Sequence, residues 1–144
     1  MAKNVRDAMT DDPRSIGAVE SVVAAARLMR DEHIGSLPVT EDKRLVGMIT
    51  DRHVTTRVVA EGVVPETMSV GDVYSRDVIS VEPNNDLEEA LLLMARHQVR
   101  RLPVVENGRL VGMVAQADIA LKENEKRTGQ LVGAISERSA EERR

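Results

Sequence analysis

The stretch LPVTEDKRLVGM (37–48) returns 65 residues later as LPVVENGRLVGM (102–113), identical at nine of twelve positions. The same offset runs without a gap well beyond that stretch: Val5 matches Val70, Asp7 matches Asp72, Ser15 matches Ser80 and Met29 matches Met94. A chain that writes one unit twice has to fold as something twofold. Two copies are too few for a solenoid, which needs at least three repeats to bury a continuous core, so a pseudo-symmetric pair is expected. The repeats divide the chain into a first unit with its N-terminal arm (1–60), a joining stretch EGVVPETMS (61–69), a second unit (70–125) and a tail (126–144).

Each unit reads as strand, helix, strand, strand, helix. DVISV (77–81) alternates as a short strand, and DPRSI (12–16) matches it more weakly. In PNNDLEEALLLMARHQ, Asp86 with Glu89 three residues on has the form of a capping box. Leu87, Ala90, Leu91 and Met94 then fall on one helical face, as Val22, Ala25, Ala26 and Met29 do in the first copy. LPVV and LVGMV are apolar strands joined through Asn107-Gly108, a strong hairpin signal; Asp42-Lys43 reads as a looser version of that turn. The closing helices start at about Asp51 and about Gln116. Gly47 and Gly112 sit inside strands, where glycine marks close approach of other backbone or a ligand. Neither half has much apolar area of its own, so the two sheets are expected to pack on each other.

Composition narrows the function. A net charge of −4 gives no basic footprint for nucleic acid or an anionic membrane surface. No apolar run approaches membrane-spanning length and the N-terminus lacks a signal-peptide core, which makes the cytoplasm the expected location. The absence of cysteine excludes disulfides and thiolate chemistry, and His33, His53 and His97 show no ligand spacing. With no Phe, no Trp and Tyr74 alone, the core is aliphatic, and a bound ring would rest on aliphatic and backbone surface. No P-loop, dinucleotide fingerprint or catalytic triad order is present, so catalysis is not expected.

HIGSLPV…RLVGMITDRHV and HQVRRLPV…RLVGMVAQADI together resemble the paired cystathionine-β-synthase (CBS) domain, or Bateman module, over about 5–125. The resemblance implies an α/β (α+β) fold of two pseudo-symmetric β-α-β-β-α repeats packed as one module. It also implies clefts between the repeats that often hold adenosine nucleotides (AMP, ADP, ATP) or S-adenosylmethionine, and association into homodimers. The family's turn after the LVGM strand reads roughly Thr/Ser-x-x-Asp, a hydroxyl and helix-start amides for phosphate and an aspartate for ribose. A residue before LPV, often basic, reaches a phosphate.

Carried over, the second copy keeps Arg101 and Asp118 but has Ala115 in place of the hydroxyl; the first keeps Thr50 but offers Ser36 and His53 for the basic residue and the aspartate. Ala117 and Val78 complete the second set of expected contacts, Arg52 and Ile16 the first. Plainer roles stand beside these. Asp118 can charge the first turn of its helix, and Thr50 can cap the other helix with no ligand present. His53 reads best as a surface helix residue, and of the adjacent Arg100 and Arg101 one faces away from the other on a strand. Two functions fit: a regulatory sensor of an adenosine ligand acting in trans on a protein partner, and a dimeric interaction protein whose clefts bind no nucleotide. Leu131, Val132, Ala134 and Ile135 form a short apolar patch in the tail, compatible with a dimer-bridging helix or a frayed end.

Overall fold

The computed structural model describes residues 4–122; the tail expectation lies outside them. In chain order the elements are α1 (Val5–Ala8), β1 (Thr10–Asp11), β2 (Ile16–Gly17), α2 (Val22–Glu32), β3 (Ser36–Glu41), β4 (Arg44–Thr50), α3 (Asp51–Val54), α4 (Leu87–His97), β5 (Arg101–Glu106) and β6 (Arg109–Ala115). A last helix, α5, begins at Gln116 and is described to residue 122. The class is mixed α+β, as expected.

The repeat is visible in the backbone. Both long helices end on a left-handed residue that is not glycine, His33 (φ 55°) and Gln98 (φ 54°). In each the next amide closes back on the helix, Ile34 to the Met29 carbonyl and Val99 to the Met94 carbonyl, both at 3.0 Å. The apolar faces face inward: Val22, Ala25 and Met29 on α2, and Leu87, Ala90 and Met94 on α4, are buried. Three local expectations need correction. Asp86 is the N-cap of α4 but its side chain makes no capping bond, so the box with Glu89 does not form; Ser21 of the first copy does cap α2, accepting from the Ala24 amide at 3.1 Å. The Asp42-Lys43 turn is no looser than Asn107-Gly108. All four residues have positive φ, so both hairpins use the same two-residue turn, with strained non-glycine residues in the first. DVISV contributes only a parallel bridge, Val81 to Val104. The Asp77 amide is taken by Ser75 Oγ (3.3 Å), and Pro83, two residues beyond Val81, has no amide to extend the ladder.

The chain divides into two compact units, and their boundaries are informative. One unit comprises residues 12–80 and 105–111; the other comprises, within the described residues, 4–11, 81–104 and 112–122. In the first, β2 runs parallel to β3 and β3 antiparallel to β4. Its core is Ile16, Val22, Ala25, Met29, Leu37, Val39, Ile49 and Val58, closed by Val70 and Val73. The second unit buries Val81, Leu87, Ala90, Met94, Leu102, Val104, Val114 and Ile119, closed by Val5 and Ala8. Val5 and Ala8 stand 65 residues before Val70 and Val73. The arm that opens each repeat therefore completes the core built from the other repeat's helix and hairpin.

The pairing repeats the exchange. Thr10 and Asp11 of the first arm run antiparallel to Met113 and Gly112, while Ser75 of the second arm bridges Met48 through two hydrogen bonds of 2.9 Å. Asn4 bridges Asp86, and Ser69 bridges Ser21. Gly47 and Gly112 are where these arms cross the hairpins. A β-carbon on Gly47 would run into the Tyr74 ring and the Ser75 carbonyl oxygen; one on Gly112 would meet Met9 Sδ at 2.8 Å and the Thr10 carbonyl at 2.9 Å. The close approach expected at both glycines is to the chain's own backbone and side chains.

Candidate functional site

In each half, β-strand starts and helix starts are held together at one junction. The Asp51 amide donates to the Gly35 carbonyl (3.0 Å), and the equivalent Gln116 amide donates to the Arg100 carbonyl (2.8 Å). This fixes the residue before each LPV strand beside the first turn of α3 or α5.

At the first junction, Ser36 is the register partner of Thr50 across the hairpin. Thr50 is the N-cap of α3. Its Oγ1 accepts from the His53 amide (3.2 Å), while its own amide donates to His53 Nδ1 (3.1 Å). A histidine thus fills the place that Glu or Gln takes in the usual reciprocal cap. The Thr50 and His53 side chains are thus each already engaged with the other residue's backbone amide. His53 is half-buried and bonded to the backbone, not a free surface residue. Arg52 is exposed, and Ile16 is 3% exposed within the core, pairing with Val39.

At the second junction the same places are open. Ala115 supplies no hydroxyl, so no reciprocal cap forms, and Asp118 occupies the third position of α5. Asp118 is half-buried and makes no side-chain hydrogen bond or ion pair among the described residues. Ala117 and Arg101 are exposed, Arg101 as the first residue of β5. Arg100 is exposed as well. Val78 is half-buried in a stretch without regular structure and belongs to the other compact unit.

His53 also makes the first junction sensitive to pH. Burial lowers its pKa below the ordinary histidine value of 6.5, and the neighbouring Arg57 guanidinium adds to the effect. The Nδ1 that accepts the Thr50 amide must be unprotonated, which works in the same direction. The unfolded chain then binds a proton more readily than the folded one, so the stability contribution is present above about pH 6.5 and lost as pH falls. We expect the melting temperature to drop between about pH 7 and about pH 5.5, ahead of carboxylate titration. His53→Gln should flatten that segment of the melting curve against pH; an unchanged slope would remove His53 as its source.

Sequence reasoning missed Arg57. One of its guanidinium nitrogens donates to the Val73 carbonyl at 2.7 Å, tying the π-helical turn Thr55–Val59 after α3 to the exchanged arm. An arginine 16 residues from its partner carries no local pattern that would have revealed it.

Two β-hairpins, each opening into a helix, with one closed and one open junction, define a duplicated strand–helix module. A model of the CBS domain matches residues 5–60 and 70–125. The chain belongs to the CBS domain family. It is 40% identical over 120 residues to the CBS domain-containing protein YhcV of Bacillus subtilis, covering 83% of this chain and 85% of that protein. The crystal structure of Hypoxic Response Protein I with two coordinated zinc ions is 40% identical, with a TM-score of 0.75 over 83% of this chain and 98% of that one. The crystal structure of CBSX2 in complex with AMP is 25% identical, with a TM-score of 0.76 over 86% of this chain and 98% of that one. Zinc finds no counterpart among the described residues, where no group of three or more His, Cys, Asp or Glu is placed to hold a metal ion. No helix among them is long and apolar enough to cross a membrane.

Proposed function

We propose that the chain is a non-catalytic regulatory module that binds an adenosine-containing ligand at its second strand–helix junction and acts in trans on a protein partner in the cytoplasm. The division of labour follows the repeats, 1–60 and 70–125, with 61–69 as linker and 126–144 as tail. The observation that carries the reading is the unengaged, half-buried Asp118 carboxylate at the start of α5. A carboxylate in that place accepts two ribose hydroxyls, and the Arg101 guanidinium suits a phosphate. With AMP bound to CBSX2, the adenosine nucleotides and S-adenosylmethionine are the compounds to test first.

A ligand that binds only the folded state stabilises it by RT ln(1 + [L]/Kd), about 2.7 kcal/mol at a hundredfold excess over Kd. At this chain length that is a rise in melting temperature of roughly 8 °C. Calorimetry with AMP, ADP, ATP or S-adenosylmethionine is the test, since a lone tyrosine gives poor fluorescence. Asp118→Ala should abolish the shift and His53→Ala should leave it nearly intact, because His53 is committed to Thr50. The opposite ranking would place the ligand at the first junction.

A second reading is a homodimeric interaction protein without nucleotide binding. It is favoured by Ala115, which removes the hydroxyl, and by the hollow of about 310 Å³ between α2 and α3, lined by Val22, Val23, Ala26, Val54 and Pro65. No shift with any of the four compounds supports it.

A further inference from the structure

The first arm, residues 4–11, belongs to the second compact unit. Val5 and Ala8 are buried there, and the Val5 and Arg6 amides donate to the Asn85 and Pro83 carbonyls at 2.8 and 3.0 Å. Thr10 and Asp11 pair with Met113 and Gly112. From residue 12 the chain belongs to the first unit, where the Arg14 guanidinium meets Glu32 of α2 at 2.8 Å and Ile16 pairs with Val39. The connection between these two holds is residues 12–15. It lies outside regular structure, and all of it but Pro13 is exposed.

The bend inside this connection is unfavourable on two counts. Asp12 has φ 47°, in the left-handed region where a β-carbon crowds the backbone. It also precedes Pro13, whose ring drives the residue before it toward extended backbone, with φ of about −120°. Aspartate tolerates left-handed backbone better than most residues, but that tolerance does not meet the demand of the proline. The second copy reaches its arm without such a bend. Asp77 and Val78 stand 65 residues after Asp12 and Pro13, and neither has positive φ. The strain therefore belongs to the first connection. Extending Asp12 relieves it, and carries the arm away from the socket in its own chain.

We propose that residues 4–11 exchange between two copies of this chain, with residues 12–15 as the hinge. Each socket then receives the arm of the other copy, and the burial of Val5 and Ala8 and the pairing of Thr10 and Asp11 are kept. What changes is the hinge, where Asp12 takes the extended backbone that Pro13 favours in both copies. Short hinges under strain invite this kind of exchange, and two reciprocal exchanges close a twofold dimer.

The absence of cysteine makes the exchange directly readable. Thr10 and Met113 are partners across the arm–socket ladder, so Thr10→Cys with Met113→Cys puts one thiol on the arm and one in the socket. Dimers separated by size and oxidised at high dilution should run as covalent pairs of chains on a non-reducing gel. Asp12→Gly relieves the left-handed residue in both hinges of a pair. After equilibration by warming it should lower the dimerisation constant at least about tenfold. Pro13→Ala removes the demand for extended backbone and should move the constant the same way. Light scattering of the two hinge variants without the cysteines decides the case in which the disulfide does not close. Dimers whose oxidised chains run singly, each arm linked to its own socket, overturn the proposal by assigning association to another face. A full-length chain that stays monomeric overturns it, as does a dimerisation constant that neither hinge variant changes.

Discussion

Gly47→Ala should lower the melting temperature by roughly 9 °C, the consequence of about 3 kcal/mol of lost stability in a chain of this length. Overpacking is often absorbed by a flexible neighbour, but Gly47 has none. The added methyl would enter the Tyr74 ring and the Ser75 carbonyl, both on an arm fixed at several points. Ser75 is paired to Met48 by two hydrogen bonds, Val73 is 1% exposed, and Arg57 holds the Val73 carbonyl. Relief therefore requires the arm to leave its place, with loss of Val70 and Val73 burial. Gly112→Ala is the matched control. Its nearest neighbour is the Met9 thioether, which can swing aside, and the Thr10 carbonyl lies on an exposed two-residue strand. We expect about 1 kcal/mol there. Thermal melts of the two variants giving equal losses, or the larger loss at Gly112, would mean that the second arm is not held as described.

How much of this was legible in sequence depends on the length scale. The hairpins, the buried helix faces and the crowding at Gly47 and Gly112 follow from local pattern, because turn geometry and helical period act over a few residues. The closed first junction was half legible. Thr50 is an ordinary cap, but histidine as the reciprocal partner lies outside the Glu/Gln pattern, and its engagement shows only in the geometry. The exchange of arms was not legible at all. Val5 and Val70, with Asp7 and Asp72, present the same pattern to two sockets of the same kind. Nothing in periodicity or spacing says which socket each arm enters. That choice is made by chain path, which no local signal encodes.

The exchange leads to the largest effect expected of any single change. Cutting the chain after residue 65 should leave no independently folded half. The fragment 1–65 keeps α2 and its hairpin but loses Val70 and Val73, each buried at 1% exposure or less. At about 1.5–3 kcal/mol for each fully buried side chain, the deficit is roughly 3–6 kcal/mol. That is comparable with the whole stability of a small domain, about 5–15 kcal/mol. The fragment also loses the strand partner of Met48, so the edge of β4 lies open to pairing with another chain. The fragment 66–144 loses Val5, Ala8 and the Thr10–Asp11 strand in the same way. Each fragment nevertheless carries an arm shaped for the other. Circular dichroism should show no cooperative melt for either fragment alone as a monomer, and a single melt on mixing them in equal amounts. Any fold regained by one fragment should come with self-association through its arm, so melting has to be read alongside the molecular mass from light scattering. A monomeric 1–65 fragment with its own cooperative transition would mean that the arm contributes little to the first core, and the account given for Gly47 would fall with it.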